Sequence, residues 1–217
     1  MNRYANGKFT GQYKATIGAD FLTKDVVVTD VFGQRHLVTL QIWDTAGQER
    51  FQSLGVGFYR GSDAALLVYD VTDPASLDHL QHWQQEFVQH VGGLAGAAMM
   101  GAPPFPFVVV GNKADKTAAD RKVPPARAAE WCQTHAALPG QSSSMTNQRP
   151  LPHYEASAKT ASNVDEVFEQ VARLALQYED YRRRSQPQLF VPPPTGSAPI
   201  DLRHQQSSMS QQGDACC

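Results

Sequence analysis

The stretch that most constrains this chain covers residues 40–58 and reads LQIWDTAGQERFQSLGVGF. Apolar and polar residues alternate over positions 38–42, which predicts a strand, because successive side chains of a strand point to opposite faces. The strand pattern ends at Asp44, and small residues then predict a turn that reaches Gly47. A carboxylate and then a glycine at the carboxyl end of a strand mark the place where an open α/β sheet binds its ligand.

Three residues of this turn suit a phosphate and a metal ion. Asp44 offers a carboxylate that can hold a cation through water. Gly47 has no side chain, so its backbone N–H group can approach a phosphate closely. The neutral amide of Gln48 donates and accepts hydrogen bonds, which suits it to hold an attacking water. Taken alone, the pattern is also that of a polar turn that merely ends a strand.

A second segment predicts contacts to a guanine base. Residues 107–110 form a short buried-strand pattern, and the loop GNKAD follows it directly. The carboxylate of Asp115 can accept hydrogen bonds from N1–H and the amine of guanine, whereas adenine offers neither donor. Lys113 carries a long apolar stem that can lie along the base, and Asn112 can tie this loop to its neighbours.

The third segment, residues 154–159, is again a strand pattern followed by a loop of small residues. The backbone N–H group of Ala158 suits the guanine O6 atom, and Lys159 can cover the other face of the base. Each segment alone is a weak signal, but the three in this order indicate a guanine nucleotide site.

Composition limits the alternatives. The 217 residues, of which 41% are hydrophobic, suffice for one globular domain and a tail. The net charge of −2 gives no reason to expect nucleic acid as a partner. No apolar run has the length of a membrane helix, and no signal-peptide pattern is present. The three cysteines suit a reducing compartment without disulfides, and Cys132 is expected to be buried.

The order of patterns predicts a doubly wound α/β domain, with a mostly parallel sheet and helices on both faces. A helix should end before Gly7, and residues 21–28 should pair antiparallel with the strand at 38–43. The continuous apolar run at 64–69 predicts a strand buried on both faces. Apolar residues at helical spacing predict a helix over 77–91.

We expect the domain to occupy residues 1–181. From residue 182 to 217 the chain turns to Pro, Gln and Ser with few apolar residues, which predicts a disordered tail. The loops at 92–106 and 138–152 are long, and no chemistry is assigned to them.

With these motifs in place, the sequence resembles the Rab family of small GTPases over about residues 1–177. Residues 12–24 and 49–59 are most similar to the late-endosomal and vacuolar members of that family. The resemblance implies a switch that binds GTP and GDP, hydrolyses GTP slowly and regulates vesicle traffic to late endosomes or lysosomes.

The resemblance also implies roles for single residues. Thr16 matches the switch I threonine that binds Mg²⁺, and Tyr13 lies in the same loop beside the nucleotide. Asp44, Gly47 and Gln48 match switch II, where Asp44 serves Mg²⁺ and Gln48 orients the catalytic water. The guanine-specificity positions are Asn112, Lys113, Asp115, Ser157, Ala158 and Lys159. The aromatic residues on which effectors dock are Phe21, Trp43 and Phe58.

The family further implies Mg²⁺ as cofactor and several protein partners. These are exchange factors, GTPase-activating proteins, effectors and a chaperone of the Rab escort or GDI type. The chain ends in Cys216 and Cys217, on which the resemblance implies geranylgeranyl groups. Such a protein cycles between cytosol and the cytoplasmic face of late-endosomal, lysosomal or vacuolar membranes.

One departure from the family concerns the phosphate-binding loop G-x-x-x-x-G-K-[ST], which occurs nowhere in the 217 residues. Met1 falls where the family is already inside its first helix, after a strand and that loop. We therefore expect a gap, or a distorted pairing, between the strands at 38–43 and 64–69. A start codon assigned to an internal methionine and a true loss both explain the departure.

A second function therefore stays open from sequence alone. It is a non-catalytic Rab-like interaction protein, unable to hold nucleotide phosphates. The missing loop favours it, whereas Thr16, Gln48 and Asp115 are residues that a pure scaffold has no need of.

Overall fold

The computed structural model of the protein describes residues 1–12, 14–47, 56–91, 104–136 and 149–185. Strands and helices alternate along these ranges, as the sequence predicts. The strands are β1 (Ala19–Thr29), β2 (Arg35–Thr45), β3 (Ala65–Asp70), β4 (Phe107–Asn112) and β5 (His153–Glu155). The helices are α1 (Asn2–Asn6), α2 (Pro74–Asp78), α3 (Leu80–Val91), α4 (Pro125–Thr134) and α5 (Val164–Ser185), with a short 3₁₀ turn at Val56–Phe58.

The first sheet is the predicted antiparallel hairpin of β1 and β2. Its register pairs Ala19 with Thr45 at one end and Thr29 with Arg35 at the other. The carboxylate of Asp30 closes the turn by accepting the backbone N–H groups of Phe32 and Gln34, each at 2.8 Å. The hairpin therefore forms a two-stranded ribbon with unbroken pairing from its turn to the end of β2.

The second sheet is parallel and has the order β3-β4-β5. Its central strand β4 is almost wholly buried, since Val108 and Val109 are both 0% exposed. This is the continuous apolar pattern that a strand covered on both faces requires. The order and direction confirm the α/β class expected from the sequence.

The expected gap between β2 and β3 is present. Among the described residues, β2 and β3 belong to separate sheets, so neither supplies the backbone partners of the other. One consequence corrects the sequence analysis, which predicted that β3 is buried on both faces. Val68, in the middle of β3, is 54% exposed, because no described strand or helix covers its face at that point.

Helix α5 packs against both sheets. Leu40 and Ile42 of β2 and Leu66 of β3 pack against one apolar cluster, to which α5 contributes Phe168. Helix α1 joins this cluster through Tyr4, whose ring stacks on Phe168 with centroids 3.9 Å apart. The sheets are thus connected through side chains where they are not connected through backbone.

The opposite face of the parallel sheet is covered by α2, α3 and α4, as the doubly wound class predicts. The helix predicted over 77–91 is divided, since α2 ends at Asp78 and α3 begins at Leu80. Asp73 caps α2 by accepting the N–H group of Ala75 at 3.1 Å.

The two remaining sequence predictions concern Cys132 and the end of the domain. Cys132 is buried and free, as expected, and burial raises the pKa of its thiol to about 11. Helix α5 continues to Ser185, beyond the predicted boundary at residue 181. No helix in the described ranges combines the length and the apolar character needed to cross a membrane.

The gap beside β3 predicts that truncating two valines lowers the free energy of unfolding by unequal amounts. Val109→Ala should lower the free energy of unfolding by about 2 kcal/mol, because the valine is fully buried. Val68→Ala should cost less than about 0.5 kcal/mol, since this side chain is half exposed. Urea denaturation measures both. Equal losses would mean that the open face of β3 is covered in solution.

Candidate functional site

The site lies at the carboxyl ends of the parallel strands. The register pairs Asp70, the last residue of β3, with Asn112, the last residue of β4. Gly111 of β4 pairs in turn with Glu155, the last residue of β5. Because the three strands are parallel, the loops that follow them meet at one edge of the sheet. The second and third sequence motifs are therefore brought together.

The loop after β4 is held by a charged pair. Lys113 has a φ of 69°, a left-handed conformation that costs energy for a residue with a side chain. Its ammonium Nζ lies 2.5 Å from Oδ2 of Asp70. Burial acts to raise the pKa of Asp70, but hydrogen bonds from Lys113 and Thr72 outweigh it, so the pKa is lowered.

Two hydrogen bonds join the loop after β4 to the loop after β5. The hydroxyl of Ser157 donates to Oδ1 of Asp115 at 2.5 Å. The backbone N–H group of Ala158 donates to Oδ1 of Asn112 at 3.1 Å. Asn112 thus ties the loops together, as expected. Ser157 is 0% exposed and also accepts the N–H group of Thr160 at 3.1 Å, so its hydroxyl is fixed from both sides.

These bonds decide the electrostatics of Asp115. The hydrogen bond from Ser157 is the main reason why the pKa of Asp115 is lowered, and the nearby charge of Lys159 acts in the same direction. Asp115 is exposed to solvent and negatively charged at neutral pH, so it presents a hydrogen-bond acceptor at the edge of the sheet. Lys159 is exposed beside it.

A second group of predicted residues lies at the carboxyl end of β2. The hydroxyl of Thr16 lies near the carboxylate of Asp44. Although Asp44 is exposed, desolvation by its surroundings is the largest effect on the pKa of its carboxyl and raises it, as does the charge of Asp20; the Met1 ammonium and the Thr16 hydroxyl act in the opposite direction. A carboxylate paired across the hairpin with a second one, with a hydroxyl nearby, is an oxygen-rich and negatively charged place.

These donors fit a hard cation. Mg²⁺ prefers oxygen ligands such as carboxylate and hydroxyl, and Asp44 and Thr16 offer one of each. Gly47 follows in an exposed position with nothing within 4 Å of the place where a Cβ atom would lie. Its backbone is therefore approachable, as expected. Tyr13, Gln48, Cys216 and Cys217 lie outside the described residues.

The three aromatic residues named from the sequence form one surface. Trp43 lies in the centre, with its ring centroid 4.5 Å from that of Phe21 and 4.5 Å from that of Phe58. The three side chains are 43%, 46% and 37% exposed, respectively. Exposed aromatic residues in mutual contact are typical of protein-binding surfaces.

Two residues of the site escaped the sequence analysis. Asp70 carries a signal that was available, since it is a carboxylate at the end of a predicted strand. Arg3 carries none, because it contacts the loop after β5 across 155 positions of sequence. Its guanidinium donates to the carbonyl oxygens of Ala158 and Lys159.

The bond between Ser157 and Asp115 predicts a shift that NMR can measure. In Ser157→Ala the pKa of the Asp115 carboxyl should rise, because the largest cause of its lowering is removed. A carboxyl whose pKa is lowered by folding adds stability above its unfolded pKa and loses it as pH falls through its folded pKa. The variant should therefore lose less stability in acid than the unaltered chain. An unchanged carboxyl titration would contradict the assignment.

Comparison with known proteins gives a consistent result. The Ras family model matches residues 1–177. The Ras-related protein Rab7 of Drosophila melanogaster is 49% identical over 179 residues, which are 82% of this chain and 74% of that protein. The Ypt/Rab-type GTPase avaA of Emericella nidulans is 48% identical over 180 residues, 83% of this chain and 76% of the relative.

A third relative comes from another organism. The Ras-related protein Rab-7a of Paramecium octaurelia is 45% identical over 183 residues, 82% of this chain and 75% of the relative. The residues that the family model matches, 1–177, include every loop of the site. The chain therefore belongs to the Ras family, as a Rab7-type small GTPase.

Proposed function

We propose that this chain acts as a switch that binds GTP and GDP, hydrolyses GTP and regulates traffic to late endosomes and the vacuole. The observation that carries the proposal is the joined pair of loops at the end of β4 and β5. They place Asp115, Asn112 and the Ala158 N–H group together, through contacts of 2.5 and 3.1 Å. Such a constellation is suited to guanine.

The base is recognised through hydrogen bonds that only guanine completes. Asp115 accepts from N1–H and the exocyclic amine, and its charged state is secured by its lowered pKa. The Ala158 N–H group leaves Asn112 and donates to O6. Adenine would displace water from the exposed carboxylate without offering it a donor in return, which costs binding energy.

The phosphate end of the nucleotide lies against the loops after α1 and β2. Ras-family GTPases generally use Mg²⁺ with GTP, and here Thr16 and Asp44 would hold the ion. When bound, Mg²⁺ neutralises charge on the phosphate oxygens. Gln48 orients the attacking water, and a GTPase-activating protein supplies further catalytic groups, as is general for such switches.

The alternative of a non-catalytic interaction protein is not favoured. The loops that carry Asp115, Asn112 and Ala158 are joined by hydrogen bonds, which supports a guanine site, and the Rab7-type relatives include proteins named as GTPases. The motif G-x-x-x-x-G-K-[ST] is nevertheless absent from the 217 residues. We therefore expect the phosphate contacts of these 217 residues to be weak.

Protein partners dock on the aromatic surface of Phe21, Trp43 and Phe58. Effectors are the class of partner that this surface suits, because it lies next to the loops that sense the nucleotide. Exchange factors, GTPase-activating proteins and an escort or GDI-type chaperone complete the cycle. The membrane is reached through prenyl groups on Cys216 and Cys217.

The proposal is tested by a change of base preference. The unaltered chain, titrated with a fluorescent GDP analogue and Mg²⁺, should bind guanine nucleotide weakly and reject ADP. Asp115→Asn should lower guanine affinity by about tenfold or more and favour xanthine nucleotide, because the amide replaces an acceptor by a donor. Ser162→Ala, a substitution outside the specificity positions, serves as the matched control.

Two outcomes would count against this reading. Unchanged guanine affinity in Asp115→Asn would remove Asp115 from the base site. Tight stoichiometric binding of GTP by a cooperatively melting monomer would instead contradict the expected weakness of the phosphate contacts.

The lipid attachment has its own test. A single lipid chain gives marginal and reversible membrane binding, whereas two anchor a protein stably. Replacing one of Cys216 and Cys217 by serine should give partial release from endosomal membranes, and replacing both a soluble protein. Cys132→Ser is the control, since this thiol is buried in the domain. A double variant that still sediments with membranes would refute the assignment.

A further inference from the structure

Arg3 connects the first helix to the loop that faces the base. Its Nε atom donates to the carbonyl oxygen of Ala158 at 2.8 Å, and its Nη2 atom donates to that of Lys159 at 2.7 Å. The remaining nitrogen, Nη1, donates to the carbonyl oxygen of Gly7 at 2.6 Å. All three nitrogens of the guanidinium are thus used on backbone carbonyl groups.

The geometry of this contact is specific to arginine. Two parallel donors of one planar group reach two consecutive carbonyl groups, so the orientation of both peptide planes is fixed. A lysine ammonium offers a compact charge without this fork and can hold only one of the two well. The guanidinium also lies 5.8 Å from the centre of the Phe9 ring, within the range of a cation–π contact.

The arginine is itself held in place. It belongs to α1, whose Tyr4 is 4% exposed and stacks on Phe168 of α5. Lys24 of β1 donates to the carbonyl oxygen of Tyr4 at 2.5 Å. Helix α1 is therefore held by both a strand and a helix. Because α1 is held, Arg3 binds the loop after β5 from a fixed position.

We infer that Arg3 is a positioning residue for guanine recognition, which orients the Ala158 N–H group toward the O6 atom of the base. The inference rests on the proposed function, since it names a determinant of the same site. The N–H group of Ala158 and the carbonyl group that Arg3 holds belong to the two peptide units that meet at the Cα atom of Ala158, so the fixed carbonyl group limits how far the N–H group can turn about that atom. The N–H group itself donates to Asn112, a bond that guanine must displace.

The inference predicts a selective loss of base contacts. Arg3→Ala should lower the affinity for GDP and IDP about tenfold, because both carry O6, and leave that for 2-aminopurine riboside diphosphate unchanged, because it lacks O6. The preference for GDP over IDP, which depends on Asp115, should persist. Arg3→Lys should recover part of the loss. Equal losses for all three nucleotides would indicate a merely structural role and overturn the inference.

Lys24→Met is the matched control. Lys24 is also a cation that donates to a backbone carbonyl group of α1, but it contacts the carbonyl oxygen and the ring of Tyr4 instead of the loop after β5. This variant should leave the ratio of GDP affinity to 2-aminopurine nucleotide affinity unchanged. A fall in this ratio as large as that of Arg3→Ala would assign the effect to α1 as a whole and contradict the inference.

A measurement without nucleotide separates this inference from the proposed function. In the nucleotide-free full chain, amide hydrogen exchange at Ala158 and Thr160 should accelerate about tenfold in Arg3→Ala, and remain unchanged in β4. Unchanged exchange in the loop would overturn the role of Arg3, whatever the affinity for nucleotides. If the unaltered chain binds no guanine nucleotide, the proposed function fails, and loop exchange still decides whether Arg3 orients Ala158.

Discussion

The packing of α5 against two unconnected sheets is the constraint on which the rest of the structure depends. Strands β2 and β3 share no ladder among the described residues, so backbone hydrogen bonds do not hold the hairpin to the parallel sheet. Leu40, Ile42 and Leu66 meet instead on the apolar face of α5. Apolar contact of this kind is non-directional, and it fixes relative position less sharply than a ladder does.

The two halves of the site differ in the same way, one being held by backbone pairing and the other by apolar packing. The base half is built on one parallel sheet, where register and two loop-to-loop hydrogen bonds fix the positions of Asp115 and Ala158. The half that contains Thr16 and Asp44 is built on the hairpin. Its geometry relative to the base therefore depends on side-chain packing, since the bond from the Ala46 N–H group to the Gly18 carbonyl group at 2.9 Å only extends the hairpin itself.

Much of this structure could be predicted from the sequence, because its determinants are local. A strand pattern followed by a short polar loop indicates the carboxyl end of a strand in an α/β sheet. The sequence therefore predicts Asp44 and Asn112 at strand ends and Asp115 in the loop after β4. The gap beside β3 was also predictable, since the family resemblance names the strand that belongs there. The strand-end predictions needed only pattern, spacing and order, whereas the gap needed the family resemblance.

The features that escaped prediction depend on tertiary contacts. The exposure of Val68 depends on what lies beside β3, and the same apolar run would be buried next to another strand. The contact of Arg3 with Ala158 and Lys159 joins residues at opposite ends of the domain. The break between α2 and α3 at His79 interrupts an apolar pattern that continues on both sides of it.

The open side of β3 also has a consequence for encounters between molecules. A strand edge without a partner offers unpaired N–H and C=O groups to any other extended chain, and proteins commonly guard such edges with lysine, proline or a bulge. Residues 65–69 of β3 read ALLVY, so they carry no charge and no proline. Among the described residues this edge has no strand partner, so copies of this chain at high concentration have a template for pairing with one another.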